Sequence, residues 1–253
     1  MSRPFRLVRL ATLVVGVLGR LAANAGAQVS YSRAIEFSGY TWFVKSSSEP
    51  AGPGPNQFSA DDPSVRVDQR GRLHLRIRKE GGVWTCAEVV LQPSLGYGTY
   101  RFYLDRPVHK LDPNAVLGLF TWNGDAPAFA NREIDIEFSR WSDGNDPTNA
   151  QYVVQPYDIP GNLIRFTEPP RASRSIHSFR WTPGQLSFES RRRNGSLTPL
   201  PEVQIAQWTT TQLIPQPGGE QVRMNLWLFR GAAPQRNHSV EVVVRRFEFV
   251  PDS

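Results

Sequence analysis

Three acids stand at alternate positions in Arg132-Glu133-Ile134-Asp135-Ile136-Glu137-Phe138. On an extended strand successive side chains point to opposite faces, so Glu133, Asp135 and Glu137 share one face while Ile134, Ile136 and Phe138 take the other. Three like charges in a row oppose folding unless solvent, a cation or a chemical role compensates them. The Cα atoms of Glu133 and Glu137 should lie about 13 Å apart, at roughly 3.3 Å per residue. Each side chain then reaches inward, and the carboxyl groups can approach the roughly 5–5.5 Å that double displacement at an acetal requires. Asp135, between them, can hydrogen-bond either neighbour and help hold one Glu protonated. Spacing alone leaves three readings open: the wet face of an ordinary strand, an acid and nucleophile pair, or hard oxygen ligands for Ca²⁺.

The surroundings favour a cleft. Trp122 and Trp141 flank the acidic segment within a dozen residues, and Trp181, Trp208, Trp227, Tyr97, Tyr100, Tyr152 and Tyr157 add flat amphipathic rings. Such rings can stack on sugar faces, or can fill a sandwich core; both readings stand for Trp181 and Trp227.

Positioning these groups calls for strands. Period-2 alternation marks Leu73, Leu75 and Ile77 against His74, Arg76 and Arg78, between the turn at 68–71 and Gly81-Gly82. Segments 86–92, 98–104, 116–122, 133–139, 150–155, 175–181, 185–191 and 222–229 look alike, each bounded by Gly, Pro, Asn or Asp. The last, 239–250, changes phase between Val240, Val242, Val244 and Phe247, Phe249, which predicts a bulge near Arg245-Arg246. No helical period intervenes, so the expected fold is an all-β antiparallel sandwich, or jelly roll, as one domain over residues 28–253. The Ser/Pro/Gly-rich stretch 46–56 reads as a surface loop. Gly and Pro together supply 41 of 253 residues, a surplus consistent with many turns.

Residues 1–27 read as a secretory signal: Arg3, Arg6 and Arg9 precede the apolar run 10–19, and Ala25-Gly26-Ala27 supplies a small-x-small cleavage pattern. That run is too short to span a bilayer. The expected location is therefore secreted or periplasmic, with no membrane partner after cleavage. The whole chain has 29 basic and 23 acidic residues; without the four leader arginines the net charge falls to +2. Nucleic acid is thus not an expected partner. The lone cysteine, Cys86, has no disulfide partner and reads as a half-buried strand position. The four histidines show no zinc spacing. No cofactor is expected, and Asp143-Gly144-Asn145-Asp146 is as good a turn as a ligand loop for a structural Ca²⁺.

The acidic strand resembles the active-site strand of glycoside hydrolase family 16, the retaining endo-β-glucanases and their relatives. Four further segments agree in order. Trp84-Thr85-Cys86-Ala87-Glu88 followed by Gly96-Tyr97-Gly98-Thr99-Tyr100 is similar to that family's paired strands. His177-Ser178-Phe179-Arg180-Trp181-Thr182-Pro183 resembles its His-x-aromatic-x-x-Trp-x-Pro segment, and Arg223-Met224-Asn225-Leu226-Trp227 its Met-Asn-Leu-Trp strand. Gly52-Pro53-Gly54-Pro55-Asn56 resembles an early loop that supplies an Asn to the cleft.

The resemblance implies a jelly roll with a concave substrate cleft, Glu133 as nucleophile, Asp135 as assisting acid and Glu137 as general acid/base. It implies Glu88, Asn56, Trp122, Gln155 and Trp181 as sugar contacts, no catalytic metal, and a monomer acting on a β-glucan-type polysaccharide. The uninterrupted Glu-x-Asp-x-Glu spacing resembles members that cut mixed-linked glucans or remodel xyloglucan. A transglycosylase and a non-catalytic sugar-binding jelly roll are the alternatives. Three departures bear on specificity: Val90 stands where lichenase-like members often carry Arg, Cys86 is unpaired, and Gln155-Pro156 replaces an Asn-aromatic pair.

Overall fold

The computed structural model describes residues 29–105, 107–170, 174–193 and 202–252. The leader expected over residues 1–27 lies outside them. The strands, in chain order, are β1 (Val29–Phe37), β2 (Tyr40–Ser47), β3 (Gln57–Phe58), β4 (Val65–Val67), β5 (Leu73–Glu80), β6 (Val83–Leu91), β7 (Gly98–Leu104) and β8 (Ala115–Trp122). They continue with β9 (Ile134–Phe138), β10 (Ala150–Val154), β11 (Leu163–Phe166), β12 (Arg174–Thr182), β13 (Gln185–Arg193), β14 (Glu202–Thr210), β15 (Gln221–Leu228) and β16 (Val240–Pro251).

They form two sheets. One runs β1-β2-β6-β15-β8-β9-β10-β11, the other β4-β5-β16-β7-β12-β13-β14. The β5-β6 hairpin, turning at Gly81-Gly82, passes from one sheet to the other. Among the described residues all strand pairings are antiparallel except the short β3-β6 contact. This is the β-sandwich that alternation without helices predicts.

The sheets meet through the dry faces. Ile134, Ile136 and Phe138 of β9 are fully buried, as are Leu117 and Leu119 of β8 and Met224 and Leu226 of β15. Opposite them lie Phe102, Phe179, Phe188 and Phe247. Tyr152 stacks on Phe188 across the interface at 4.9 Å, and Trp42 meets Phe247 edge-on at 5.4 Å. A polar chain is sealed inside: Tyr152 Oη donates to Ser190 Oγ at 2.6 Å, and His177 bridges Ser190 and Ser175 at 2.7 and 2.8 Å. Burial pushes the His177 imidazole down to about 3, so it stays neutral, satisfied by the two hydroxyls.

The anticipated bulge is present. β16 loses register between Val244 and Arg246, which lets Val244 and Phe247 both enter the core. β1 to β4, β11 and β14 lie outside the segments read as strands. β1 and β14 are edge strands with one face on the core, but register shifts between Ser30 and Arg33 and between Gln204 and Ala206 break the wet–dry alternation that identifies a half-buried strand. Cys86 is fully rather than half buried, and burial pushes its thiol up to about 12.

Candidate active site

The acids project from the outer face of the first sheet, where cross-strand register lays out a floor in rows. One row reads Glu88, Asn225, Gly118, Glu137, Gln151 and Arg165, each the direct partner of the next on β6, β15, β8, β9, β10 and β11. The adjacent row reads Val90, Arg223, Phe120, Asp135 and Val153. Above the floor opens a groove of about 500 Å³, lined by Tyr31, Lys45, Glu88, Phe120, Trp122, Trp227 and all three acids. A second depression of about 660 Å³, lined by Phe129, Arg132, Gln155 and the 213–217 loop, meets the groove at Glu133.

Glu133 and Glu137 are half-buried and face the groove, with Asp135 sunk between them at 3% exposure. Burial raises all three carboxyl groups, Glu133 to about 8 and Glu137 to about 7, and Asp135 well above the usual range. Mutual repulsion adds to this for Glu133 and Asp135. Asp135 hydrogen-bonds Glu133, an interaction that favours the charged Glu133 and the protonated Asp135. Within that hydrogen bond the proton is favoured on Asp135 over Glu133. Gln155 Nε2 donates to Asp135 Oδ2 at 3.2 Å.

The chain just before Glu133 is held under backbone strain. Ala130, Asn131 and Arg132 all have positive φ (48°, 54° and 54°), a region costly for side-chain-bearing residues. A clasp keeps them there: the Arg132 guanidinium donates to Gln216 O and packs on Gly218, where a Cβ would lie 2.5 Å from it. Asn123 Nδ2 donates to Gly218 O at 2.8 Å, and Thr121 Oγ1 donates to Arg132 O at 2.8 Å.

At the other end of the floor, Glu88 is enclosed at 1% exposure and bonded by Lys45 Nζ at 3.1 Å and Arg223 Nη1 at 3.0 Å. The guanidinium absent at Val90 thus arrives from Arg223, the cross-strand partner of Val90. Burial pulls the Lys45 ammonium down and the Glu88 carboxylate holds it up. Removing one partner of such a buried pair strands the other charge. Lys45→Met is expected to destabilise the protein by roughly 3 kcal/mol in urea unfolding, and Glu88→Gln in the same background to recover most of that.

Gly118 leaves the space in the middle of the row. A Cβ there would sit 2.5 Å from Asn225 Oδ1, which accepts the Gly118 N–H at 3.1 Å. Gly118→Ala is expected to cost about 1–3 kcal/mol by overpacking and to displace Asn225 into the groove. Thermal unfolding and a saccharide titration check the two effects.

The structure brings together Glu133, Asp135, Glu137, Glu88 and Trp122 around one groove. It removes Trp181 and Asn56 from it. Trp181 is fully buried, its Nε1 donating to Pro215 O at 3.0 Å and its ring edge-on to Tyr97; the dry parity of β12 places it in the core. Asn56, in the stretch read as a surface loop, is 3% exposed. Its amide donates to Pro53 O and Leu228 O at 2.8 Å, so it ties the loop behind the floor. Gln155 faces the second depression with both amide ends engaged, by Asp135 and by Tyr157 N. Trp141 packs on Trp227 and Phe229 without lining the groove. Lys45, Tyr31, Phe120 and Arg223 are lining residues that motif reading missed. Arg223 alone left a signal, an arginine within the Met-Asn-Leu-Trp segment two residues from Asn225.

Among the described residues no cluster of three or more His, Cys, Asp or Glu is arranged to hold a metal. Asp143 caps its own turn through Asn145 N at 2.9 Å, and Asp146 is taken by Thr148 and Arg165.

No protein-family model matches the chain, and no curated protein sequence matches it. Solved structures do. A Bacillus licheniformis β-glucanase superposes with a TM-score of 0.63 over 90% of this chain and 100% of that one, at 18% identity. The fold is that of the β-glucanases. A prokaryotic β-1,3-1,4-glucanase (lichenase) from a mouse hindgut metagenome gives 0.57 at 20% identity, over 83% and 93% of the two chains. A Mycobacterium tuberculosis immunostimulatory antigen, described as a pseudo β-1,3-glucanase, gives 0.58 at 18% identity, over 84% and 91%. The β-glucanase fold thus accommodates 90% of this chain.

Proposed function

We propose that the protein is a retaining endo-glycosidase that hydrolyses O-glycosidic bonds in a β-glucan-type polysaccharide. The observation that carries this reading is the acid row at β9 and the residue before it: two half-buried Glu side chains open to one groove, with the buried Asp135 between them. Glu133 attacks the anomeric carbon as a carboxylate while Glu137 gives its proton to the departing glycosidic oxygen. Glu137 then takes a proton from water, whose oxygen displaces Glu133 from the anomeric carbon and restores both groups. The Asp135 hydrogen bond favours the Glu133 anion against the effect of burial. Glu88 and Trp122 are the proposed sugar contacts, the carboxylate for hydroxyls and the indole for a sugar face.

The solved neighbours support the saccharide class, since one is a lichenase and another, LamA of Z. galactanivorans, is described in complex with laminaritriose and laminaritetraose. The expected leader at residues 1–27 supports export; the proposed enzyme acts as a monomer without a cofactor. Among the described residues no helix is long and apolar enough to cross a membrane.

The test is release of reducing ends from barley glucan, laminarin, xyloglucan, agarose and carrageenan. Turnover on one of them supports the proposal. Sugar binding by calorimetry with no new reducing ends on any of them overturns it in favour of a binding module. Oligomers longer than the donor would assign transglycosylation to the same acids.

A further inference from the structure

Glu137 does not end the floor row. Gln151 Nε2 donates to Glu137 Oε2 at 2.8 Å, and Arg165 Nη1 donates to Gln151 Oε1 at 3.0 Å. The direction of this relay is settled by chemistry, because a guanidinium has donors and no acceptor. Arg165 can meet the amide only at its oxygen, so the NH₂ end must face Glu137. Arg165 is itself held from several sides: Nη2 pairs with Asp146 Oδ2 at 2.6 Å, and Nε donates to Thr148 Oγ1 at 2.7 Å. Asp146 in turn accepts from the Thr148 hydroxyl at 2.6 Å. The Asp143–Asp146 turn thus supplies the carboxylate that anchors the arginine.

Resting on the glycosidase reading above, we infer that Arg165 is a positioning residue for the general acid/base. By holding the Gln151 amide with its N–H on Oε2, it leaves Oε1 as the oxygen of Glu137 that carries the transferred proton. Oε2 is committed as an acceptor, and a proton placed there would face a donor. Oε1 takes no hydrogen bond from the described residues, and Glu137 lines the groove. The relay also spreads the Arg165 charge toward Glu137, favouring its anion against the effect of burial.

The charged groups around Glu137 are few. Asp135 shares β9 with Glu137, Glu133 immediately precedes that strand, and Arg165 acts from β11 through Gln151 of β10. Beyond Gly118 and Phe120 of β8, Arg223 on β15 and Glu88 on β6 face the same groove, with Lys45 of β2 behind Glu88. Among the described residues only Arg165 reaches Glu137 through a hydrogen-bonded relay, so its removal should be felt there first.

The experiment follows the Glu137 side-chain carboxyl carbon by ¹³C NMR titration in the wild-type protein, Arg165→Met and Gln151→Leu. Gln151→Leu removes the amide without touching the Arg165–Asp146 pair, so it serves even if Arg165→Met folds poorly. Both variants are expected to move the Glu137 midpoint up by about one pH unit. In kinetics, both should lower kcat/KM on the cleaved polysaccharide by roughly tenfold or more. They should leave kcat/KM for an activated aryl oligosaccharide nearly unchanged, because that constant reports glycosyl-enzyme formation and a good leaving group needs little protonation. An unmoved or lowered midpoint overturns the inference. So does an equal loss on both substrates, which would make Arg165 a prop for the strand. If the wild-type protein cleaves neither substrate, the glycosidase reading fails and the titration alone judges the relay.

Discussion

Glu133→Gln is expected to abolish sustained turnover of whichever polysaccharide the wild-type protein cleaves, a loss of roughly 10³–10⁶-fold in kcat. The amide keeps the shape of the side chain and its place in the row beside Asp135, but it cannot supply the anionic oxygen that bonds to the anomeric carbon. Glu137→Gln is expected to cost roughly 10²–10⁴-fold, because proton donation is lost while the nucleophile remains. The two variants separate further on substrates with activated leaving groups: Glu137→Gln should retain a burst of glycosyl-enzyme formation there, and Glu133→Gln none. Proton NMR of the first-formed product should show the substrate's own anomeric configuration. Wild-type rates in either variant, or an inverted product, would dismantle the assignment.

The same replacement should make the protein more stable. Burial raises the Glu137 carboxyl from its ordinary 4.5 to about 7 in the fold. Between those values the native state retains a proton that the unfolded chain releases, so stability contributed at this site falls as pH rises from 4.5 through 7. Glutamine carries no such penalty, and its carbonyl can still accept the Gln151 N–H. Glu137→Gln is therefore expected to exceed the wild-type protein by up to about 3 kcal/mol at pH 8, and to match it near pH 4. Urea unfolding at the two pH values measures this directly. Glu168, buried with neither carboxyl oxygen hydrogen-bonded among the described residues and pushed up to about 8, adds a slope of the same sign to both proteins and cancels in the difference. An equal or lower stability for the variant at pH 8 would mean that Glu137 carries no such strain. Groups that oppose folding and persist in an open groove are what a functional site looks like in energetic terms.

These expectations show where sequence reading was sufficient. Strand period is a local property, set by alternation of Cβ directions along a few residues. The acid row, the buried Ile134, Ile136 and Phe138 beneath it, and the bulge at Arg245 could all be read from neighbours in the chain. In β14 the pairing skips Ile205, so the residues on either side of it change parity and the signal is lost. Trp181 illustrates a different limit. Its motif context suggested a sugar contact, yet parity on β12 turns its ring inward, and an indole serves equally well in either setting.

The sequence by itself determined that three carboxyl groups share one face of a strand, because a two-residue repeat admits no other arrangement in extended chain. It determined also that many short strands without helices must stack as a sandwich. Only the tertiary structure decided what those acids meet. Lys45 and Arg223 close on Glu88 from 43 and 135 positions away, and Arg165 reaches Glu137 through Gln151. Such partners are chosen by cross-strand register and sheet order, which depend on how distant segments pair and leave no trace in the spacing of nearby residues.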